Sequence, residues 1–187
     1  MNYYRIFSKF YQKAAQKMCR DCQDFIKKGS KILDLGCGSG IIGNTFQDFF
    51  QAKVLGVDIK DCRVLPLPFQ IIDGFHLPFS ENSFDVVLIN YVLHHSRDPV
   101  ALLSEAKRVT RDKIIIYEDL AEGCLSKLVC WFHGISFDKL FGNPVKTSFN
   151  SEKGWEKIFK EIGLNIVFKK RINNFPVKKE LFILMGA

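Results

Sequence analysis

The segment Lys31 to Gly40, Lys-Ile-Leu-Asp-Leu-Gly-Cys-Gly-Ser-Gly, constrains this chain more than any other. A short apolar strand runs into glycines at alternate positions, and Ile41 to Phe50 then carries apolar residues at helical spacing. Glycine has no Cβ, so backbone amides in such a loop can approach a ligand closely, and the helix that follows adds its own unpaired N–H groups. Strand, glycine turn and helix in that order open a parallel sheet wrapped by helices.

The alternation continues along the chain. Tyr3 to Lys28 reads as helix, with Gly29 as its stop. Val54 to Val57 reads as a second strand ending at Asp58, and Phe69 to Ile72 as a third ending at Asp73. The connection between them is short and contains proline, so the helix expected there is reduced or missing. A fourth strand, Val86 to Ile89, ends at Asn90, and Asp98 caps and Pro99 opens a helix to about Val109. A fifth, Lys113 to Tyr117, ends at Glu118-Asp119, and residues 120–150 read as the least regular part of the chain. Ser151 caps a helix reaching Ile162, with Gly163 at its end. Asn165 to Arg171 and Leu181 to Met185 are strands joined through Asn173-Asn-Phe-Pro176, too short for a parallel crossover, so the last strand must run antiparallel to its neighbour. The expected fold is therefore α/β: a Rossmann-like three-layer sandwich with a seven-stranded, mostly parallel sheet and an antiparallel last strand.

A chain of 187 residues, 47% of them apolar, suits one domain with a sizeable core. The N-terminus lacks the apolar stretch of a signal peptide, and no run reaches the roughly 18 residues of a membrane span, so a cytoplasmic protein is expected. Its six cysteines are then reduced thiols. Cys19 and Cys22 form one CxxC without a second pair at zinc-finger spacing, an ordinary core spacing on a helix. The net charge of +7, with Lys169-Lys-Arg171 and Lys178-Lys179 near the C-terminus, would suit an acidic substrate, RNA or an anionic membrane, or is a solvated face. The C-terminal segment lacks aromatic-basic interleaving, which points away from nucleic acid without removing it.

The loop alone leaves its ligand open. Gly38-Ser-Gly40-Ile-Ile-Gly43 satisfies GxGxxG, and Asp58 lies at the distance of an acid gripping the ribose of NAD. Asp34, just before the loop, would gain a pyrophosphate nothing, whereas it suits a ligand carrying an ammonium and a sulfonium. Asp73 is placed to accept from an exocyclic amine, and an antiparallel seventh strand is foreign to ordinary dinucleotide folds.

Four segments in order resemble the class I S-adenosylmethionine-dependent methyltransferases, especially the small-metabolite group with the ubiquinone and menaquinone biosynthesis enzymes. Ile32-Leu-Asp-Leu-Gly-Cys-Gly-Ser-Gly40 is similar to the family's first motif, and Val54-Leu-Gly-Val-Asp-Ile59 to its ribose-binding strand. Asp73-Gly-Phe-His-Leu-Pro-Phe79 is similar to the adenine-contacting segment, and Ser83-Phe-Asp-Val-Val-Leu-Ile-Asn-Tyr-Val-Leu-His-His95 to the fourth strand and the loop facing the methyl group. The resemblance implies S-adenosylmethionine as cofactor and S-adenosylhomocysteine as product, held by Asp34, Gly36, Cys37, Gly38, Gly40, Asp58, Ile59, Asp73, Gly74, Phe75 and Asn90. It also implies one methyltransferase domain over 1–187: a helical lid at 1–30, a cofactor-binding core at 31–119, a variable substrate cap at 120–150, and a closing helix and strands at 151–187. Asn90-Tyr91-Val92 stands where enzymes acting on amide or base nitrogens carry Asn-Pro-Pro-aromatic, which lowers the expectation of DNA or glutamine as acceptor.

Methyl transfer from a sulfonium is an in-line displacement that needs positioning and exclusion of water, so no metal is required and none is expected. His94 and His95 are the catalytic candidates, as general base or substrate contact, against a packing role. Tyr4 and Tyr11, with Tyr3, could close over the cofactor. Tyr91, Trp131 and His133, with Phe132, could shape the pocket of a small-molecule acceptor. An NAD-type protein, a catalytically silent methyltransferase-like subunit and an RNA methyltransferase are the alternatives, and oligomeric state is left open.

Overall fold

Strand β1 (Lys31–Leu35) is buried along all but its first residue, as a central parallel strand covered on both faces must be. Its parallel partner β2 (Lys53–Asp58) pairs Lys31 with Lys53 and Leu35 with Val57, and β3 (Phe69–Ile71) extends the parallel run. The computed structural model describes residues 3–141, 147–172 and 177–186, and the turn at 173–176 lies outside them. The sheet has seven strands in the order β3-β2-β1-β4-β5-β7-β6, with β4 at Phe84–Asn90, β5 at Thr110–Leu120, β6 at Leu164–Ile172 and β7 at Lys178–Gly186. β7 runs antiparallel to both β5 and β6, the Rossmann-like arrangement with a reversed last strand that the chain's short final connection requires.

Two compact units divide the chain: Met1–Leu88 with Val109–Lys113, and Ile89–Arg108 with Ile114–Ala187. In the first, α1 (Tyr3–Ile6) and α2 (Ser8–Asp21) replace the single helix expected to Lys28. The break falls at Phe7, and the end at Cys22, whose N–H reaches the Met18 and Cys19 carbonyls before the chain turns to bury Ile26. α2 packs on α3 (Ile41–Phe50). Cys19 and Cys22 are fully buried, and burial pushes the Cys19 thiol up to about 12, so this pair packs as small apolar groups. Residues 59–68 form no helix. The proline-containing link instead runs directly into β3.

In the second unit, Asp98 caps α4 (Pro99–Val109) by accepting from the Ala101 N–H, and the Ser151 side chain caps α6 (Glu152–Glu161) by accepting from Gly154. α6 packs on β6 and buries Trp155 and Phe159. The stretch expected to be irregular contains α5 (Cys124–Phe141), an 18-residue helix. Leu125, Leu128, Trp131, Phe132 and Ile135 on it are exposed, so apolar groups are not confined to one stripe and the helical period is masked. Among the described residues no helix is long and apolar enough to cross a membrane, and no disulfide forms.

Candidate active site

In the first unit the glycine loop leaves β1 with Gly36, Gly38 and Gly40 all at positive φ, a conformation that side chains resist. The Gly36 and Cys37 N–H groups donate to the Val57 carbonyl at 2.8 and 3.1 Å, which ties the loop to the end of β2. Asp58 completes the tie. One carboxylate oxygen accepts from Gly38 N–H at 2.9 Å and the other from Ile59 N–H at 2.7 Å. Burial raises the Asp58 pKa, the largest influence on it, against the backbone donors that favour its charged form.

Asp34 is buried beneath the start of α3. A Cβ on Gly43 would stand 2.6 Å from its Oδ2 and 2.8 Å from the Leu67 side chain. Gly43 is therefore glycine because helix and acid approach closely, which explains the third glycine of GxGxxG without a dinucleotide. The Cys37 thiol packs on Gly56, and burial, reinforced by the Asp34 and Asp58 carboxylates, holds it far above the ordinary thiol range.

Residues 59–68 lie against the loop. Val64 N–H donates to the Ser39 carbonyl at 2.9 Å, and the Arg63 side chain passes 3.4 Å from where a Gly40 Cβ would be. Arg63 donates to Asp61 at 2.7 Å and to the Leu67 carbonyl, and sits 4.4 Å over the Phe69 ring. That partnership holds the exposed Asp61 carboxyl down at about 2. Sequence reasoning gave Arg63 no role. Asp73 is exposed and accepts from the Phe75 and His76 N–H groups at 2.8 Å, bonds that lower its pKa and order the Gly74-Phe75 turn. Gly74 has φ 86° and packs against Ile59, joining two of the expected cofactor segments. Tyr4 and Tyr11 meet edge to face at 5.7 Å on α1 and α2; nothing is described of the Tyr3 side chain.

In the second unit β4 ends at Asn90, a buried residue whose side-chain oxygen and nitrogen both lack a hydrogen-bond partner. A buried amide of that kind is costly unless something else satisfies it. Tyr91 follows at φ 57°, rare for an aromatic residue. It is held there by its N–H to the Tyr117 carbonyl at 2.8 Å and by the Lys179 ammonium 4.2 Å over its ring. Burial raises the Tyr91 hydroxyl pKa.

The 3-10 turn Leu93–His95 comes next. Glu118, fully buried at the end of β5, receives the Leu93 N–H at 2.8 Å on one oxygen and faces His94 Nδ1 at 2.5 Å with the other. His94 is itself 1% exposed, and its Nε2 has no partner among the described residues. His95 Nδ1 lies 2.8 Å from the Thr147 hydroxyl. Phe149 stacks on the His94 ring at 4.6 Å, and Ser148 N–H donates to the His94 carbonyl. The His133 ring on α5 stands 6.2 Å from that of His94 and 5.9 Å from that of His95. So His94, His95 and His133, read separately in the sequence, converge, while Trp131 is exposed and stacks edge-on with Phe132. Glu118 is the residue that sequence reasoning missed. Its only signal was an acid at a strand's carboxyl end, the same signal carried by Asp58.

Residues 33–117 match the methyltransferase domain family. That match takes in β1 from Leu33, the glycine loop and the strands through most of β5, so over these residues the chain is similar to methyltransferase domains. The chain is 34% identical over 106 residues to an uncharacterized methyltransferase of Schizosaccharomyces pombe, covering 46% of this chain and 38% of that protein. It is 32% identical over 98 residues to the demethylmenaquinone methyltransferase of Paenarthrobacter aurescens, covering 46% and 36%. The chain thus spans well under half the length of these relatives. A solved S-adenosylmethionine-dependent methyltransferase of Methanosarcina mazei shares the fold, with a TM-score of 0.72 over 89% of this chain and 97% of that one at 16% identity.

Proposed function

We propose that this chain binds S-adenosylmethionine at the glycine loop and transfers its methyl group to a small-molecule acceptor by in-line displacement. The observation that carries the reading is the double use of Asp58. Its carboxylate occupies the Gly38 N–H that a pyrophosphate would need, and Asp34 puts a second acid beneath the same loop. A buried and a half-buried acid repel a dinucleotide's phosphates and favour a ligand with an ammonium and a sulfonium. Gly36, Cys37, Gly38 and Gly40 would take the methionine portion, Asp58 and Ile59 the ribose, and Asp73, Gly74 and Phe75 the adenine. Asn90, whose buried amide lacks a partner among the described residues, is the further cofactor residue that the resemblance implies.

The acceptor is assigned to the residues around His94. With Nδ1 held by Glu118, the unpartnered Nε2 is the nitrogen able to take a proton from an acceptor hydroxyl or activated carbon. Tyr91, Trp131 and His133, and the exposed apolar side chains of α5, would suit an acceptor with an apolar body; Tyr4 and Tyr11 would cover the cofactor. A cytosolic setting fits the reduced cysteines.

Calorimetry tests the cofactor. S-adenosylhomocysteine should bind and NAD should not; tight NAD binding with no S-adenosylhomocysteine binding overturns the reading. Binding without turnover on any acceptor would favour a silent subunit.

A further inference from the structure

We propose that His94, His95 and His133 form a binding site for a divalent transition metal of the zinc type. One ring nitrogen from each lies within 4.8 Å of the others. The three come from two distant stretches of chain. Glu118 fixes the His94 ring from the end of β5. Thr147 fixes His95, and a Cβ on Gly134 would stand 3.1 Å from the Thr147 Cβ, so the absence of a side chain at Gly134 is what lets α5 bring the neighbouring His133 this close.

The chemistry of the donors matches the ion. A metal-bound histidine usually gives its other ring N–H to a carboxylate, which orients the ring and raises its basicity. Glu118 and His94 make that pair at 2.5 Å, leaving a lone pair on Nε2 that is buried and meets no protein donor. A buried polar atom so placed is costly without a partner. Three imidazoles without a coordinating carboxylate suit zinc, cobalt, nickel or copper and not the oxygen-seeking magnesium or calcium. Tetrahedral ligation at about 2.0 to 2.1 Å would set the nitrogens roughly 3.3 Å apart, so the cluster must contract. His133, exposed on a helix, is the member able to move. Three protein ligands leave the fourth position open to water or an acceptor oxygen, as in catalytic rather than structural zinc sites. An ion on His94 Nε2 would take the place of that nitrogen as a proton acceptor.

The test uses the intact chain and the metal alone, without cofactor. Titration with Zn²⁺ against a competing chelator should show one ion per chain. Co²⁺ should bind with the visible bands of a nitrogen-ligated tetrahedral ion and without the intense thiolate charge-transfer band that cysteine ligation would give. His133→Ala, at an exposed position, should leave the unfolding temperature of the metal-free protein unchanged. It should weaken Zn²⁺ binding by at least the 10- to 100-fold that loss of a mere outer partner typically causes. Glu118→Gln should weaken binding within that same 10- to 100-fold range. Absence of stoichiometric binding, equal affinity in His133→Ala, or a thiolate band overturns the proposal. None of these outcomes touches S-adenosylhomocysteine binding, so the cofactor reading stands or falls separately.

Discussion

The glycine-loop unit and the histidine unit solve the problem of building a site in opposite ways. The loop's ties run mostly through backbone N–H groups: Gly36, Cys37 and Gly38 are held by Val57 and Asp58 about one supersecondary unit away. Around the histidines the ties are side-chain pairs, His94 to Glu118 and His95 to Thr147, 24 and 52 residues apart. A backbone-built site tolerates loss of a side chain as lost affinity. In a side-chain-built site, substituting a buried member leaves a buried polar atom unpaired, so function and stability fall together there.

The largest effect should come from His94→Ala. If Nε2 accepts the acceptor's proton, turnover should fall by about 10² to 10⁴, with S-adenosylhomocysteine affinity little changed. A loss below about threefold, well outside that range, in both His94→Ala and His95→Ala returns the histidines to a packing role.

Glu118→Ala should rank next and show the coupling directly. It leaves the buried Leu93 N–H and His94 Nδ1 without their acceptor, two groups costing about 1 to 3 kcal/mol each. Thermal unfolding should come several degrees lower; an unchanged unfolding temperature would mean that the pair is not formed.

Asp58→Ala should separate the two properties. Losing a charge-assisted contact to two ribose hydroxyls should weaken S-adenosylhomocysteine by roughly 10- to 100-fold, about 1.5 to 3 kcal/mol, while the chain stays folded. An unchanged dissociation constant in a folded variant removes Asp58 from the site.

The smallest effect sharpens the contrast by pH. Burial raises the Asp58 pKa in the folded protein, so its protonated form suits the fold. Its contribution to stability is therefore present in acid and is lost as pH rises through the raised folded value. Cofactor affinity should move the other way, falling as Asp58 takes up its proton, at a higher pH than an exposed carboxylate would. Asp58→Asn should flatten the stability dependence; unfolding temperatures and S-adenosylhomocysteine titrations across the acid range read both signs.

How much of this was legible in the sequence follows the same division. β1, the glycine loop and α3 match their expected bounds because each is set by local pattern, and the missing helix after β2 follows from a link too short and too rich in proline to hold one. The first helix reads too long in the sequence, since nothing local marks the break at Phe7 or the turn at Cys22. α5 was unreadable as a helix because its apolar residues do not keep to one face.

What the sequence determined alone is the strand order's reversal at β7, the positions of Asp34, Asp58 and Asp73 at strand ends, and the methyltransferase resemblance carried by four contiguous motifs. These depend on spacing within a few residues, where sterics and hydrogen-bond geometry leave few choices. Only the tertiary structure decided that Gly43 is glycine because of Asp34, that Arg63 braces the loop, that Asp73 ties its own turn, and that Glu118, Thr147 and Gly134 gather three histidines. Those relations join residues with no fixed sequence separation, so they exist only once the strands have paired and brought their ends together.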